Sequence, residues 1–517
     1  MKKFLSKIFS VRVLIVLFLA IEILAFFFLY FLISDYIAEI KAYLTILGII
    51  TAFFVFHSKM NSSYKIAWLL VLVIVPVFGT VCYVLFANKK FTRHETRKMR
   101  PTIKALERAN RSKGSNNALN KIDTSVDYNA FEFGSYLNKY SNNGIYSDTK
   151  VTYFPWGEDA WKVMLEKLES AKHYIFMEYF IIQPGLMWDS MLDILKRKAS
   201  EGVDVRLLYD DLGCLSTLHS RYYKEMRKYG VKCHPVNPIR PLLDIRMNNR
   251  DHRKIMVIDG HTGFTGGINL ADEYINHIER FGKWKDNAIM LEGNGVFGLT
   301  SLFLSTWSMI TKTTVDDFSP YYPTVYKSET KPFKNDGYVA PYGSLPFVYE
   351  TVGRDVYINL LGKANHYVYI TTPYLILDEE LENAICRCAK RGVKVKLLTP
   401  HIPDKNLVFQ ITRSYYRNLV EAGVEIYEYT PGFVHAKTFL VDGEMATVGT
   451  VNLDYRSLYL HMENGCFMYK CECIKDIEKD MVETFAQSGQ ITLDMVRHSP
   501  ASKRLLRFIL KMFSTAL

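Results

Sequence analysis

The 517-residue chain contains no C-x-x-C pair. Its eight cysteines stand at 82, 214, 233, 386, 388, 466, 471 and 473, and the two C-x-C steps lie in helix-like and strand-like text. Side chains two apart on a helix diverge, so no zinc site is expected. A disulfide framework is equally foreign to so long a chain, which leaves reduced, mostly buried thiols. Acidic residues are in deficit: 53 Asp and Glu face 64 Lys and Arg, a net charge of +11. That deficit favours an anionic partner, whether phospholipid surface, nucleic acid or phosphorylated substrate, without choosing among them. The biases of disordered, collagenous and coiled-coil chains are missing too, with 49% hydrophobic and 23% charged residues. Length alone excludes a single core and implies roughly two to four domains.

What the chain does have begins with hydrocarbon. Between Val13 and Ile33 the only charge is Glu22, and 17 of the 21 residues are Val, Ile, Leu or Phe. Their insertion is worth about −7 kcal/mol against about +3 for the glutamate, so a membrane helix is expected. No small-residue cleavage site follows, which argues against a signal peptide. Ala42 to Phe56 and Ile66 to Phe86 are further apolar runs, the latter interrupted by Pro76 and Gly79. A basic stretch led by Lys89, Lys90, Arg93, Arg97 and Lys98 comes next. Such flanks stay cytoplasmic. The expectation is a multi-pass cell-membrane protein: residues 1–88 an anchor of two or three spans, the bulk of the chain in the cytosol, the side of the N-terminus open. At the other end, 496–517, Lys503, Arg504, Arg507 and Lys511 interleave with apolar residues. That segment either lies among headgroups or packs on the soluble part.

Residues 89–124 read as the basic segment and a linker, with Asn- and Ser-rich text continuing to 145. Beyond it the chain repeats. Ala171-Lys172-His173-Tyr174 returns as Ala364-Asn365-His366-Tyr367, Gly202-Val203 as Gly392-Val393, and Gly230-Val231 as Gly423-Val424. The offsets are 193, 190 and 193 residues, a duplicated fold rather than a short solenoid repeat. Alternating strand and helix patterns predict an α/β sandwich in each half, 125–325 and 326–495.

One pattern, H-x-K-x4-D-x6-G-x2-N, occurs in both halves: His252, Lys254, Asp259, Gly266 and Asn269, then His435, Lys437, Asp442, Gly449 and Asn452. On a strand, His252 and Lys254 share a face, as do His435 and Lys437, each pair joining a titratable nitrogen to a positive charge. Asp259 and Asp442 complete the motif and are counted with the catalytic residues, although their odd spacing turns them to the other face, where without a bulge they support the strand end. Asn269 and Asn452 follow turn glycines and can return an amide to the histidines, to donate to a phosphate oxygen. Two histidines, two lysines and two asparagines converging on a pseudo-twofold axis make a phosphate site, with Asn269 and Asn452 expected to bind substrate. One imidazole attacks phosphorus while the other protonates the departing alkoxide. No metal or cofactor is needed. A nuclease would want basic grooves with stacking aromatics; the three apolar runs make lipid the expected substrate, and no nucleic-acid partner is expected.

With this duplicated H-x-K-x4-D motif the chain resembles the phospholipase D superfamily over roughly residues 125–490. Within it, the chain is similar to the bacterial cardiolipin synthases. The text that carries the likeness is Trp68-Leu69-Leu70 with Pro76, Thr265-Gly266-Gly267-Ile268-Asn269, Trp284-Lys285-Asp286 and Asn452-Leu453-Asp454-Tyr455-Arg456-Ser457. The resemblance implies two phospholipase D-like α/β domains behind a transmembrane anchor. It also implies that two phosphatidylglycerols give cardiolipin and glycerol through a phosphatidyl-histidine, with His252 the nucleophile and His435 acid, then base. By position it makes Asp286 and Glu463 the acids that orient the histidines. Thr450 stands where the family often has serine, which keeps a hydroxyl. A hydrolase using the same intermediate is the nearest alternative, because the motif does not set the acceptor.

Overall fold

The computed structural model describes residues 38–58, 60–74, 79–80, 82–84, 93–239, 249–325, 336–346 and 350–512, with Leu24 and Phe28. The chain divides into two compact units. One holds Met1–Lys90 and Pro238–Asn249; the other holds Phe91–Asn237 and Arg250–Thr515.

In the smaller unit two helices are described, Ala38–His57 and Ser62–Ile74. The first exposes Tyr43, Ile46, Ile49, Phe53, Phe54 and Phe56, an unusual surface for a water-facing helix. Among the described residues no helix is long and apolar enough to cross a membrane. The expected span from Val13 to Ile33, with Glu22, lies outside the described residues apart from Leu24 and Phe28.

The larger unit is built on two sheets. The first half supplies β1 (Thr149–Phe154), β2 (Tyr174–Tyr179), β3 (Asp204–Asp210), β4 (Lys232–Val236), β5 (Lys254–Ile258), β6 (Thr262–Gly266), β7 (Lys283–Lys285) and β8 (Ala288–Gly293). The second supplies β9 (Tyr338–Ser344), β10 (Tyr367–Thr371), β11 (Lys394–Pro400), β12 (Glu425–Tyr429), β13 (Gly432–Val434), β14 (Thr438–Val441), β15 (Met445–Gly449), β16 (Glu463–Tyr469) and β17 (Ser488–Ile491). The sheet orders are β1-β8-β6-β5-β2-β3-β4 and β9-β16-β15-β14-β10-β11-β12-β17. Strand for strand they match, with β17 added at one edge. Strands β2, β3 and β4 pair in parallel, as do β10, β11 and β12, while the motif strands β5 and β14 run antiparallel to β2 and β10.

Local sequence explains the repeats. Gly202 and Gly392 both sit at φ +93° just past a helix, a left-handed C-terminal position that glycine fills without a Cβ penalty. The valine after each is buried and leads into a parallel strand. Strand β2 is buried along its whole length, as expected of a central strand covered on both faces.

Three cores result. One outer core covers the first sheet (Met177, Trp188, Leu207, Met256) and one the second (Tyr357, Ile385, Leu397, Phe439). Between the sheets lies a shared core joining Phe176, Val257, Phe297 and Phe303 to Leu440, Val448, Met468 and Phe485. That common layer, with the parallel pairing of β7 to β13, locks the halves face to face.

The Asn- and Ser-rich stretch is not a free tether. Helix Arg93–Arg111 buries Ala105, Leu106 and Ala109 in the shared core, and helix Tyr128–Tyr140 buries Phe133 and Leu137. Its asparagines cap and tie turns instead: Asn117 Oδ1 accepts from Leu119 N and Ile145 N, and Asn143 Nδ2 donates to Pro341 O. At the far end, helix Ala501–Met512 packs on helix Asn406–Glu421. Arg507 Nε donates to Gln410 Oε1 at 3.0 Å, and Lys511 Nζ lies 4.0 Å from the centre of the Tyr415 ring. Arg507, Leu510 and Lys511 face the protein, while the apolar ridge of Leu505 and Phe508 faces out, 61% and 66% exposed.

Candidate active site

The two motif segments meet where the halves abut. His252 precedes β5 and its backbone N–H donates to Met462 O of the second half at 2.9 Å. His435 precedes β14 and donates in the same way to Lys285 O of the first half at 2.7 Å. The side chains cross over too. His252 Nδ1 lies 3.0 Å from both oxygens of Glu463, and His435 Nδ1 lies 2.6 Å from Asp286 Oδ2. Each histidine is therefore oriented by the other half's carboxylate. The residues after these acids add further ties, with Asn287 Nδ2 donating to Thr438 Oγ1 and Asn464 Nδ2 to Thr265 Oγ1.

Both histidines are buried, at 7% and 6% exposure. Burial pushes the His252 pKa down to about 3, with Lys254 adding to the effect and Glu463 opposing it. Burial, then Lys437, takes His435 down to about 4 against the pull of Asp286. The imidazoles are thus neutral near pH 7. Their contacts with the carboxylates are neutral N–H groups donating to anions rather than ion pairs. His435 Nδ1 also lies 2.8 Å from Lys437 Nζ, and it can donate to Asp286 or accept from the lysine, not both. The 2.6 Å approach of the carboxylate favours donation, which leaves Nε2 for chemistry.

Burial would raise Glu463, but its imidazole neighbours hold it well below the usual carboxylate range. Ser457 Oγ donates to its Oε1 at 2.6 Å, and the Thr450 hydroxyl donates to Oε2. Asp286 is likewise lowered against its burial, by His435 and Lys437. Gly267 occupies the position matching Thr450 because a Cβ there would come within 2.0 Å of Asp286 Oδ1. Lys254 Nζ donates to His252 O at 2.7 Å, and Lys437 Nζ to His435 O. Burial, then the charge of Lys437, lowers Lys254 to about 7. Burial lowers Lys437 to about 8, with Asp286 and Glu463 opposing. Two buried lysines whose positive charge burial disfavours are the kind of group that an anion would stabilise.

Other expected residues sit elsewhere. Asp259 and Asp442 do not join the histidines: each caps the far end of its strand. Asp259 accepts from the backbone N–H groups of Lys172, His173 and Tyr174, all at 2.8 Å, and Asp442 from those of Asn365, His366 and Tyr367. Counting them with the catalytic groups is corrected; they pin the motif strand to its neighbour, as the odd spacing implies. Asn269 is committed as well, its Oδ1 accepting from Ile181 N and its Nδ2 donating to Tyr274 OH. Asn452 keeps a buried Oδ1 without a partner. His461, which lies outside the repeated motif, brings its ring centre within 5.7 Å of that of His252. Among the described residues, His252, His461 and Glu463 bring ligand-type atoms within 4.8 Å of one another, but the Glu463 oxygens already serve Thr450, Ser457 and His252.

Paired H-x-K segments on twin sheets, meeting in one buried centre through crosswise His–carboxylate pairs, are the arrangement of a phospholipase D-type fold. Residues 164–291 and 357–484 each match the family model described as "Cardiolipin synthase, PLD-like domain", and 44–88 match "phospholipase D-nuclease N-terminal". The cardiolipin synthase of Halalkalibacterium halodurans is 30% identical over 476 residues, covering 92% of this chain and 93% of that one. Cardiolipin synthase 2 of Bacillus anthracis is 32% identical over 464 residues, covering 90% and 88%. Among solved structures, a phosphatidylserine synthase from Haemophilus influenzae aligns with a TM-score of 0.55 at 16% identity over 75% of this chain and all of that one, a likeness of fold. The chain belongs to the bacterial cardiolipin synthases of the phospholipase D superfamily, and it is a phosphatidyltransferase enzyme of that type.

Proposed function

We propose that this enzyme joins two phosphatidylglycerols into cardiolipin and glycerol, working at the cytoplasmic face of the cell membrane. The observation that carries the mechanism is the crosswise pairing of His252 with Glu463 and His435 with Asp286, which fixes Nδ1 of each ring and presents Nε2. His252 Nε2 attacks phosphorus and the P–O bond to the first glycerol breaks. That alkoxide takes a proton from His435, whose imidazolium is favoured once the phosphodiester brings its negative charge. The hydroxyl of a second phosphatidylglycerol then gives its proton to His435 and attacks phosphorus. The P–N bond breaks and its electron pair returns to His252. Lys254 and Lys437 hold the non-bridging oxygens as charge builds.

Membrane attachment is supported by the apolar runs of residues 1–88, by the family match at 44–88, and by the outward apolar face of helix Ala501–Met512. The deciding experiment incubates the purified full-length enzyme with phosphatidylglycerol vesicles. Cardiolipin and glycerol in equal amounts support the reading, whereas phosphatidic acid without cardiolipin makes the enzyme a hydrolase.

A further inference from the structure

Lys285 and Met462 occupy matching places, since each carbonyl accepts the backbone N–H of the other half's histidine. The residue before each is Trp284 in one half and His461 in the other. The two rings lean on the motif histidines alike: Trp284 lies 5.5 Å and 44° from His435, and His461 lies 5.7 Å and 44° from His252. His461 is set by its backbone N–H on Arg456 O at 2.8 Å, and its side chain is 11% exposed. Both of its ring nitrogens are buried with no hydrogen-bond partner. Glu463 Oε1 stands 3.6 Å away, near enough for His461 to help hold the carboxylate's pKa down but too far for a good hydrogen bond, and it already receives Ser457 and His252. A buried polar atom left unmet is costly, so a fixed imidazole with two of them is suited to receive a polar ligand.

We infer that His461 is a third imidazole of the centre, donating N–H to a non-bridging phosphoryl oxygen while phosphorus sits beside His252. Phosphate suits the place better than a cation does, because the carboxylate a metal would need is already occupied. Phe180, the other ring against His252, has no donor, and Tyr274, whose OH accepts from Asn269, stands against His435 instead. Trp284, whose indole N–H is also buried without a partner, is the matching donor on the His435 side. The inference rests on the site being a phosphoryl-transfer centre, not on cardiolipin being its product.

The test compares full-length His461→Phe and His461→Gln with the wild type in phosphatidylglycerol vesicles, measuring turnover, orthovanadate inhibition and melting temperature. Orthovanadate forms five-coordinate adducts that imitate phosphorus in transfer. Phe should lower kcat by roughly 100–1,000-fold with little change in KM, and weaken vanadate inhibition similarly, as loss of one oxyanion donor does. Gln, which keeps a donor, should recover most of both. Turnover and vanadate inhibition within about twofold of wild type for His461→Phe would overturn the inference, a change smaller than any donor loss of this kind. So would lost turnover with unchanged vanadate binding, which would mark a purely structural role. If the wild type yields phosphatidic acid alone, the synthase reading fails while the vanadate comparison still decides the place of His461.

Discussion

The two halves of the catalytic unit share a strand order and a motif spacing yet finish their sites with different side chains. The first half offers Asp286, backed by Gly267 and preceded by Trp284. The second offers Glu463, backed by the Thr450 and Ser457 hydroxyls and preceded by His461. His435 is ringed by Tyr274, Trp284 and Phe433, His252 by Phe180 and His461. The duplication thus builds the frame, and the departures from it give the two histidines different surroundings. Because each carboxylate serves the opposite half, neither half holds a complete site alone.

Breaking that comparison most severely means removing the carboxylates. Glu463→Gln should disturb His252, and with it formation of any lipid-linked enzyme. Asp286→Asn should disturb His435, and with it both the protonation of the departing glycerol and the activation of the second alcohol, slowing the lipid-linked enzyme's formation and release without removing its nucleophile. Losses of about 10²–10⁴ in kcat are expected, since a wrong imidazole tautomer is the main result. Rapid-quench measurement of enzyme-bound lipid distinguishes the two, and identical behaviour would mean the halves do not divide the work.

The lysines give the next effect. Their pKa values in the empty site lie below the free value, so they are cations below about 7 and about 8 and lose that charge as pH rises. For stability the sign is the same as for any depressed group: their contribution is present above the unfolded pKa and is lost as pH falls through 8 and 7. An anion in the site reverses that loss. A pH profile of kcat/KM, which reports the free enzyme, should fall on the alkaline side beginning between about 7 and about 8. A flat profile to pH 9 would remove the lysines from substrate binding.

Smaller still is the effect at the strand ends. Asp259→Ala and Asp442→Ala each strip an acceptor from three backbone N–H groups. Each should cost roughly 2–4 kcal/mol of stability, measured by denaturant unfolding, while the folded fraction keeps its kcat. Large loss of kcat at unchanged stability would return these aspartates to the chemistry.

Much of this was legible beforehand because local rules dominate it. The H-x-K spacing, the repeated Gly-Val steps and the apolar strands follow from the period of a strand and the needs of a helix end. The crossover was not legible. His252 and Glu463 are 211 residues apart, His435 and Asp286 149, and only the packing of one sheet on the other brings them together. The Asn-rich stretch misled because polar composition marks turns as readily as linkers, and here Asn117 and Asn143 tie those turns to the core. His461 had a signal in Trp284-Lys285-Asp286 set beside His461-Met462-Glu463, the same spacing before an acid in both halves.

The most direct test of the whole account is to find which atom carries the lipid. Full-length enzyme mixed with phosphatidylglycerol and quenched in alkali within a turnover should yield a phosphatidylated peptide containing His252, absent from His252→Ala. A lipid adduct on His435, or cardiolipin formed at the normal rate by His252→Ala, would contradict it.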